Sequence, residues 1–172
     1  MIVKNGGICF GYASISRSGI PQDTVKWSDG TLLGSQVSQM NMYLNEAHEN
    51  DAQRGVKMRL GVGTTPPTLD DYWLDETQVN GVDVNQEIIC TTASIGRGVN
   101  GSTLYTFTFY NNSRNTYTLK EICLAMVPSG VTGDDSPNGR HIMLARKLIV
   151  PRTVQPAETI TFTYEISPCG GD

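Results

Sequence analysis

Residues 159–166 read TITFTYEI, and this stretch decides the fold class. Apolar side chains alternate with threonine or glutamate along its whole length, and a period of two places the two sets on opposite faces of a β-strand. In a second stretch, residues 103–110, the aromatic residues Tyr105, Phe107 and Phe109 alternate with a second set of side chains. This second set is Leu104, Thr106, Thr108 and Tyr110. Because both of its faces carry bulk, this second strand is predicted to be central in its sheet.

The same alternation, together with short apolar runs, predicts further strands. They cover residues 8–16, 57–62, 86–93, 118–127 and 142–150. The last two flank a polar loop, residues 128–140, and are predicted to form a long-looped antiparallel pair. Turn dipeptides that suit positive φ fall between the segments, at residues 5–6, 29–30, 80–81, 100–101 and 138–139. The fold class is therefore predicted to be mainly β.

The N-terminal third contains an exception, because apolar residues recur there at helical spacing. These residues are Leu33, Val37, Met40, Leu44 and Ala47. They predict an amphipathic helix, with Gly55 as its C-terminal cap, although residues 39–44 also fit an alternating strand. An apolar helix face of this kind suits docking, so Leu33, Val37, Met40 and Leu44 are predicted interface residues, together with Trp73.

These elements predict three regions. Residues 1–56 hold the N-terminal strand or strands and the amphipathic helix, and are expected to serve attachment or oligomerisation. Residues 57–167 form an antiparallel β-sandwich or jelly-roll-like domain, and residues 168–172 form a flexible tail.

Composition and charge exclude several classes of function. The 172 residues are 38% hydrophobic and 17% charged, which favours a folded domain over a disordered chain. A net charge of −4 argues against binding to nucleic acid or to an anionic membrane. No stretch approaches the roughly 20 apolar residues of a membrane helix, and the start does not resemble a signal peptide. We expect a soluble protein made in the cytoplasm.

No pattern indicates catalysis, a cofactor or a metal. The two histidines, His48 and His141, have no second ligand at a metal-binding interval and are predicted on the surface. Residues 61–65 lack the Lys-Ser or Lys-Thr of a phosphate-binding loop, and the acidic residues 70–76 lack calcium-loop spacing and predict a short helical turn. We expect a protein that is not an enzyme.

The four cysteines lie far apart in the sequence, at Cys9, Cys90, Cys123 and Cys169. Without a secretion signal they are predicted to be reduced, with Cys123 packed as a small hydrophobe inside a strand. Two charged residues fall inside the apolar strands, Glu121 and Arg146. Since an unpaired charge there would carry a large desolvation cost, they are predicted to pair with each other.

Five ordered stretches carry a resemblance to a known family. They are GVGTTPPTLDDYWL at 61–74, the aromatic strand at 104–110, EICL at 121–124, LAR at 144–146 followed by Pro151, and PAETITFTYEI at 156–166. In this order they resemble a module widespread in structural proteins of tailed phages, among tail, fibre and head-fibre proteins. Cys123 stands where a glycine is common, and the loop 128–140 is longer than usual.

The resemblance implies a structural role and no catalysed reaction. Such modules are β-sandwich-like units that decorate or connect the virion through contacts with capsid or tail proteins, commonly as homo-oligomers, with a trimer expected by analogy. The chain is expected in the virion, assembled in the host bacterial cytoplasm, as a head decoration or head-fibre component. A tail or baseplate component is the alternative. So is a carbohydrate-binding adhesion module that stacks sugars on Tyr43, Tyr72, Trp73 and Tyr117.

Overall fold

A computed structural model describes residues 1–6, 9, 26, 28, 30–32, 44, 46–49, 55–75, 80–81, 87–127 and 141–167. Within this part of the chain the fold is mainly β, as predicted, with very little helix. The strands are β1 (Gly55–Gly61), β2 (Asn80–Gly81), β3 (Ile88–Arg97), β4 (Thr103–Asn111), β5 (Tyr117–Val127), β6 (Ile142–Val154) and β7 (Thr159–Ile166). No helix among the described residues is both long and apolar enough to cross a membrane.

The first sheet has the strand order β1-β5-β6 and is antiparallel throughout. The predicted pairing of residues 118–127 with 142–150 is therefore confirmed. β6 runs four residues further than predicted, past Pro151, to Val154. The ladder between β5 and β6 is irregular between Leu119 and Glu121, opposite this proline. An irregular edge strand tolerates proline because no ladder hydrogen bond is lost there.

The second sheet has the order β2-β3-β4-β7, in which β4 is central, as its two bulky faces predict. The long strands pair antiparallel, with Phe107 opposite Phe162 on the buried face. On the other face threonine hydroxyls pair across the strands at 3.0 Å, Thr106 with Thr163 and Thr108 with Thr161. The alternation predicted for β7 is thus confirmed side chain by side chain.

Both sheets contribute to one main core, which includes Met58 of β1, Leu124 of β5 and Phe107 of β4. A second, smaller cluster lies on the opposite face of the first sheet. It consists of Val3, Leu74, Cys123, Ala125 and Met143, with Trp73 packed against it. Neighbouring strand residues point to opposite faces, so the first sheet is covered on both sides, and β1 is buried at every position.

The N-terminal residues pair with the first sheet in a way that differs from the prediction. Ile2 forms an antiparallel bridge with Ala145, and the Val3 N–H donates to the Leu144 carbonyl at 3.2 Å. Of the strand predicted over residues 8–16, Cys9 is helical, together with residues 4–6, and residues 8 and 10–16 lie outside the described residues. The edge of β6 is therefore paired by residues that precede the predicted strand.

The helix predicted between Leu33 and Ala47 is wrong at its C-terminal end. Ala47 forms a parallel bridge with Val56, and the Val56 N–H donates to the Glu46 carbonyl at 2.8 Å. Gly55 does not cap a helix but begins β1 with φ of 119°. The Glu46 carbonyl and the His48 N–H both bond to Val56 of β1, so neither group takes part in a helical hydrogen bond. Leu33, Val37 and Met40 lie outside the described residues, as do the loop 128–140 and the tail 168–172.

Two of the turn predictions have different outcomes. Asn100 and Gly101 have φ of 57° and 77° in the short 3-10 turn between β3 and β4, as a positive-φ turn requires. The dipeptide Asn80–Gly81 forms the two-residue strand β2 instead, paired in parallel with Ile88 and Ile89. A dipeptide that favours turns thus forms an edge strand here, and this pairing does not follow from the local sequence.

Candidate functional site

Three of the five motif stretches meet at the side chain of Arg146, which is 3% exposed. Its Nε donates to Glu121 Oε2 at 2.8 Å, and its Nη1 donates to Asp71 Oδ2 at 2.8 Å. Nη2 donates to the Thr65 carbonyl at 3.1 Å. The structure therefore brings together the predicted pair, Glu121 and Arg146, and adds Asp71 as a third member. We call these three side chains the Arg146 network.

The carboxylate of Glu121 is fully buried and also binds the backbone of the segment that follows β1. Its Oε1 accepts the Gly63 N–H at 3.1 Å, and its Oε2 accepts the Asp75 N–H at 3.4 Å. Hydrogen bonds to an ionised group are stronger than neutral ones, and a buried charge requires them. Glu121 thus fastens both ends of residues 63–75 to the first sheet.

The two glycines of the motif stretch at 61–74 are explained by the same carboxylate. A Cβ built on Gly61 would lie 2.5 Å from Glu121 Oε1 and 2.7 Å from its Cγ, and one on Gly63 would lie 2.5 Å from Oε1. A side chain at either position would displace the buried glutamate. The two glycines of the G-x-G pattern therefore allow the close approach of the Glu121 side chain, and they do not serve to bind a phosphate group.

Asp71 is held by Thr68 as well as by Arg146. Thr68 donates its backbone N–H to Asp71 Oδ2 at 3.0 Å and its hydroxyl to Oδ1 at 2.6 Å. Burial raises the pKa of Asp71, but the hydrogen bonds from Thr68 and the hydrogen bond and charge of Arg146 lower it by more. The pKa of Asp71 is therefore below its ordinary value. Residues 69–70 form a turn, and residues 71–75 do not form the predicted helical turn.

The lowered pKa of Asp71 predicts an acid-sensitive contribution to stability. A depressed folded-state pKa stabilises the fold above the unfolded-state pKa, about 3.9, and the contribution is lost as the pH falls through the folded-state value. We expect the wild type to lose more unfolding free energy than Asp71→Asn between neutral and strongly acidic pH. Urea unfolding of both proteins across this interval measures the difference. Equal pH dependence in the two proteins would contradict it.

A second polar contact, between Arg59 and His141, lies beside Trp73. Arg59 Nη2 is 3.0 Å from His141 Nε2, and the His141 ring lies 5.5 Å from the Trp73 ring, tilted by 36°. With Arg59 as donor, His141 Nε2 is the acceptor and the imidazole is neutral in this arrangement. His141 is buried, so its predicted place on the surface is wrong; the backbone of Ser28 also pairs with that of His141. His48 is half-buried, 3.6 Å from Glu46.

The predicted interface residues within the described part of the chain pack on the chain's own core. Leu44 is half-buried against the main core, and its carbonyl accepts the Tyr105 hydroxyl at 2.6 Å. Trp73 is half-buried against the second cluster. The other three, Leu33, Val37 and Met40, lie outside the described residues, so the structure does not bring the five together.

A shallow pocket of about 290 Å³ opens beside the Arg146 network. Its lining includes Asp70, Asp71, Tyr72, Trp73, Asp75 and Arg146. The Tyr72 side chain is at its rim, 38% exposed, with the Lys26 ammonium 5.3 Å from its ring centroid. The Tyr117 hydroxyl donates to Glu87, and Tyr43 lies outside the described residues. Among the described residues, no three His, Cys, Asp or Glu side chains are placed to hold a metal ion.

The cysteines are packed as small apolar groups where the structure describes them. Cys9, Cys90 and Cys123 are buried free thiols, and burial is the largest cause that raises the pKa of each to about 12. Such thiols are inert, because the thiolate is the reactive form. Cys123 lies inside β5, the kind of position predicted for it. Cys169 lies outside the described residues.

Sequence reasoning missed Asp71 and the backbone groups of Gly63 and Asp75. A guanidinium carries five N–H donors, and one carboxylate cannot satisfy all of them when the group is buried. That count was a signal that Arg146 needs a second acceptor, but it does not say which acid supplies it. A comparison of the chain with known protein families, with curated proteins and with solved structures finds no match to any of them.

Proposed function

We propose that this chain is a structural protein of a tailed-phage virion, which works through contacts with other proteins and not through catalysis. In this proposal its two sheets form a β-sandwich. The observation that carries the proposal is the Arg146 network. It joins residues from the stretches at 61–74, 121–124 and 144–146, which are three of the five stretches behind the resemblance. The network thus gives a structural reason for these residue types at these positions of the chain.

The chemistry of the network supports a structural role. Asp71 and Glu121 both bind the same guanidinium, so neither is an unpaired acid. Hydrolysis of a glycoside needs two carboxylates that face each other across the sugar, one of them able to give up a proton. A lowered pKa, as at Asp71, makes a carboxyl a poor proton donor at neutral pH.

The proposed mode of action is docking to other proteins. Val99, Val150 and Leu69 are largely exposed and are available for such contacts. We propose capsid or tail proteins and further copies of the chain as partners. A head decoration or head-fibre position is preferred, and a tail or baseplate position is the alternative.

The test is the composition of particles. Virions from a lysate of the phage that encodes the chain are purified on a density gradient, and their proteins are quantified by mass spectrometry. The proposal predicts that the chain sediments with intact particles in a fixed ratio to the major capsid protein. Separation of heads from tails before the measurement then distinguishes the two positions. A chain that stays in the soluble fraction, with none on particles, would overturn the proposal.

A carbohydrate-binding adhesion module on the virion is the second candidate, and the pocket beside Tyr72 favours it. A tyrosine ring at the rim and exposed carboxylates such as Asp70 are groups that bind sugars, by stacking and by hydrogen bonds. A glycan array with the wild type, Tyr72→Ala and Asp70→Asn tests this candidate. Binding that both substitutions weaken would support it. Binding by neither the wild type nor the variants would exclude it for the glycans on the array.

A further inference from the structure

Within the part of the chain that the structure describes, β7 is an edge strand of the second sheet. β7 is the last strand of that sheet, and among the described residues it pairs along its length with β4 alone. Unpaired N–H and C=O groups of an edge strand form a template for another strand. A groove of about 480 Å³ lies beside this edge, between β6 and the first half of β7. Val150, which lines it, is 88% exposed.

We propose that the edge of β7 binds the β7 strand of a second copy of this chain, antiparallel and with the two-fold axis at Phe162. The two four-stranded sheets then join into one continuous sheet, and the second strand covers the groove at Val150. This pairing depends on the edge itself and not on the proposed virion role. It gives the chain a closed dimer, in place of the trimer that the family resemblance implies.

The register follows from the two faces of the strand. Residues directly opposite in an antiparallel pair have their side chains on the same face. A two-fold axis at Phe162 sets Phe162 against its own copy, and Thr161 against the partner's Thr163. Apolar side chains thus meet apolar ones, and threonines meet threonines. The hydroxyl rows that already link β4 to β7, at 3.0 Å, continue into the partner's sheet.

Charge complementarity favours a second copy over an unrelated strand. Arg152 lines the groove at the start of β7, and its side chain is 54% exposed. In the proposed register the partner's Glu165, whose Oε1 accepts the Ser102 hydroxyl within its own chain, lies opposite Thr159, beside this arginine. The two-fold axis makes two such contacts, one at each end of the paired strands. Parallel pairing in register would instead set Glu165 against its own copy, and like charges directly opposite are destabilising.

Arg152 can serve two carboxylates in this arrangement. It already binds Glu158 Oε1 through Nη2 at 2.5 Å, and a guanidinium has further N–H donors for the partner's Glu165. The neighbouring edge, that of β6, contains Pro151, which cannot donate to a ladder. A proline on an edge strand discourages pairing. The two edges that border the groove therefore differ, and among the described strands β7 has no second neighbour.

Sedimentation velocity of the purified chain, from low to high micromolar concentration, tests the inference. We expect the wild type to pass from monomer to dimer over this range. Arg152→Glu and Glu165→Arg, each alone, are expected to weaken the dimer on the order of tenfold. The double variant Arg152→Glu/Glu165→Arg restores the opposite charges and is expected to recover the wild-type dissociation constant. Circular dichroism of each variant checks that the monomer is folded.

The matched control is Arg97→Glu, which makes the same change at an exposed arginine of β3 away from the groove. It is expected to leave the dimer unchanged. A chain that stays monomeric, a trimeric mass, or a dimer that the two single charge reversals do not weaken would each overturn the inference. None of these outcomes depends on particles, so failure here is distinct from failure of the virion proposal.

Discussion

Arg146→Met is expected to lower the free energy of unfolding by about 3–5 kcal/mol, the range typical for removal of one partner of a buried ion pair. The variant leaves the fully buried Glu121 carboxylate without its arginine, and Asp71 loses the same partner. Urea unfolding, followed by fluorescence and by circular dichroism, measures the loss. The methionine keeps most of the side-chain volume, so that the change reports on charge and hydrogen bonds more than on packing.

Arg97→Met is the control, because Arg97 is exposed on β3. A surface substitution of this kind is expected to change the unfolding free energy by less than about 0.5 kcal/mol. If Arg146→Met cost no more than Arg97→Met, the buried network would contribute nothing to stability, and the structural explanation of the motif would be wrong.

Gly61→Ala is the second large effect, with an expected loss of about 1–3 kcal/mol or more from overpacking. The new Cβ would lie 2.7 Å from Glu121 Cγ, which is not the flexible end of that side chain. Glu121 cannot move away without stretching its bonds to Arg146 and Gly63. Equilibrium unfolding measures the loss, and truncation of Glu121 to alanine in the same protein is expected to make the added Cβ less costly.

Gly96→Ala gives a matched control in a strand of the other sheet. A Cβ at Gly96 meets only Leu104 Cβ, at an ordinary 3.9 Å, and the backbone there is not left-handed. We expect this variant to be neutral within about 0.5 kcal/mol. Similar losses at Gly61 and Gly96 would show that glycine is needed for general reasons of strand conformation, and not for the approach of Glu121.

The second sheet was predictable from local pattern to a large extent. β4 and β7 alternate so regularly that their bounds, their buried faces and the central place of β4 follow from the sequence. The pattern of β1 misled in one respect. Its alternation predicts one wet face, yet Lys57 and Arg59 are buried. Leu74 and Trp73 pack on that face of the sheet, and alternation within a strand carries no information about such a covering segment.

The candidate site also has one part that the sequence predicts and one part that it does not. Glu121 and Arg146 could be predicted as a pair because a charge inside an apolar strand needs a partner. Asp71 could not, since its contact depends on how the corner after β1 folds back over the sheet. The predicted helix failed near Ala47 for a related reason, because β1 supplies backbone partners there and tertiary pairing overrides helical spacing.

The network also fixes the shape of the exposed corner that follows β1. The corner at residues 64–72 carries exposed Leu69 and Tyr72 on the outside, while Asp71 and the neighbouring backbone are fastened inside. A surface loop that is held at several points loses less conformational freedom on binding than a loose one. We expect the corner to keep its shape with or without a partner.

If the motif residues form one internal unit, Glu121 and Arg146 are energetically coupled, and a double-mutant cycle on these two residues measures the coupling. Unfolding free energies are measured for the wild type, Glu121→Leu, Arg146→Met and the double variant. The account predicts that the double variant loses less than the sum of the two single losses, with a coupling free energy of about 2 kcal/mol or more. Strictly additive losses would mean that the two side chains do not interact, and would contradict it.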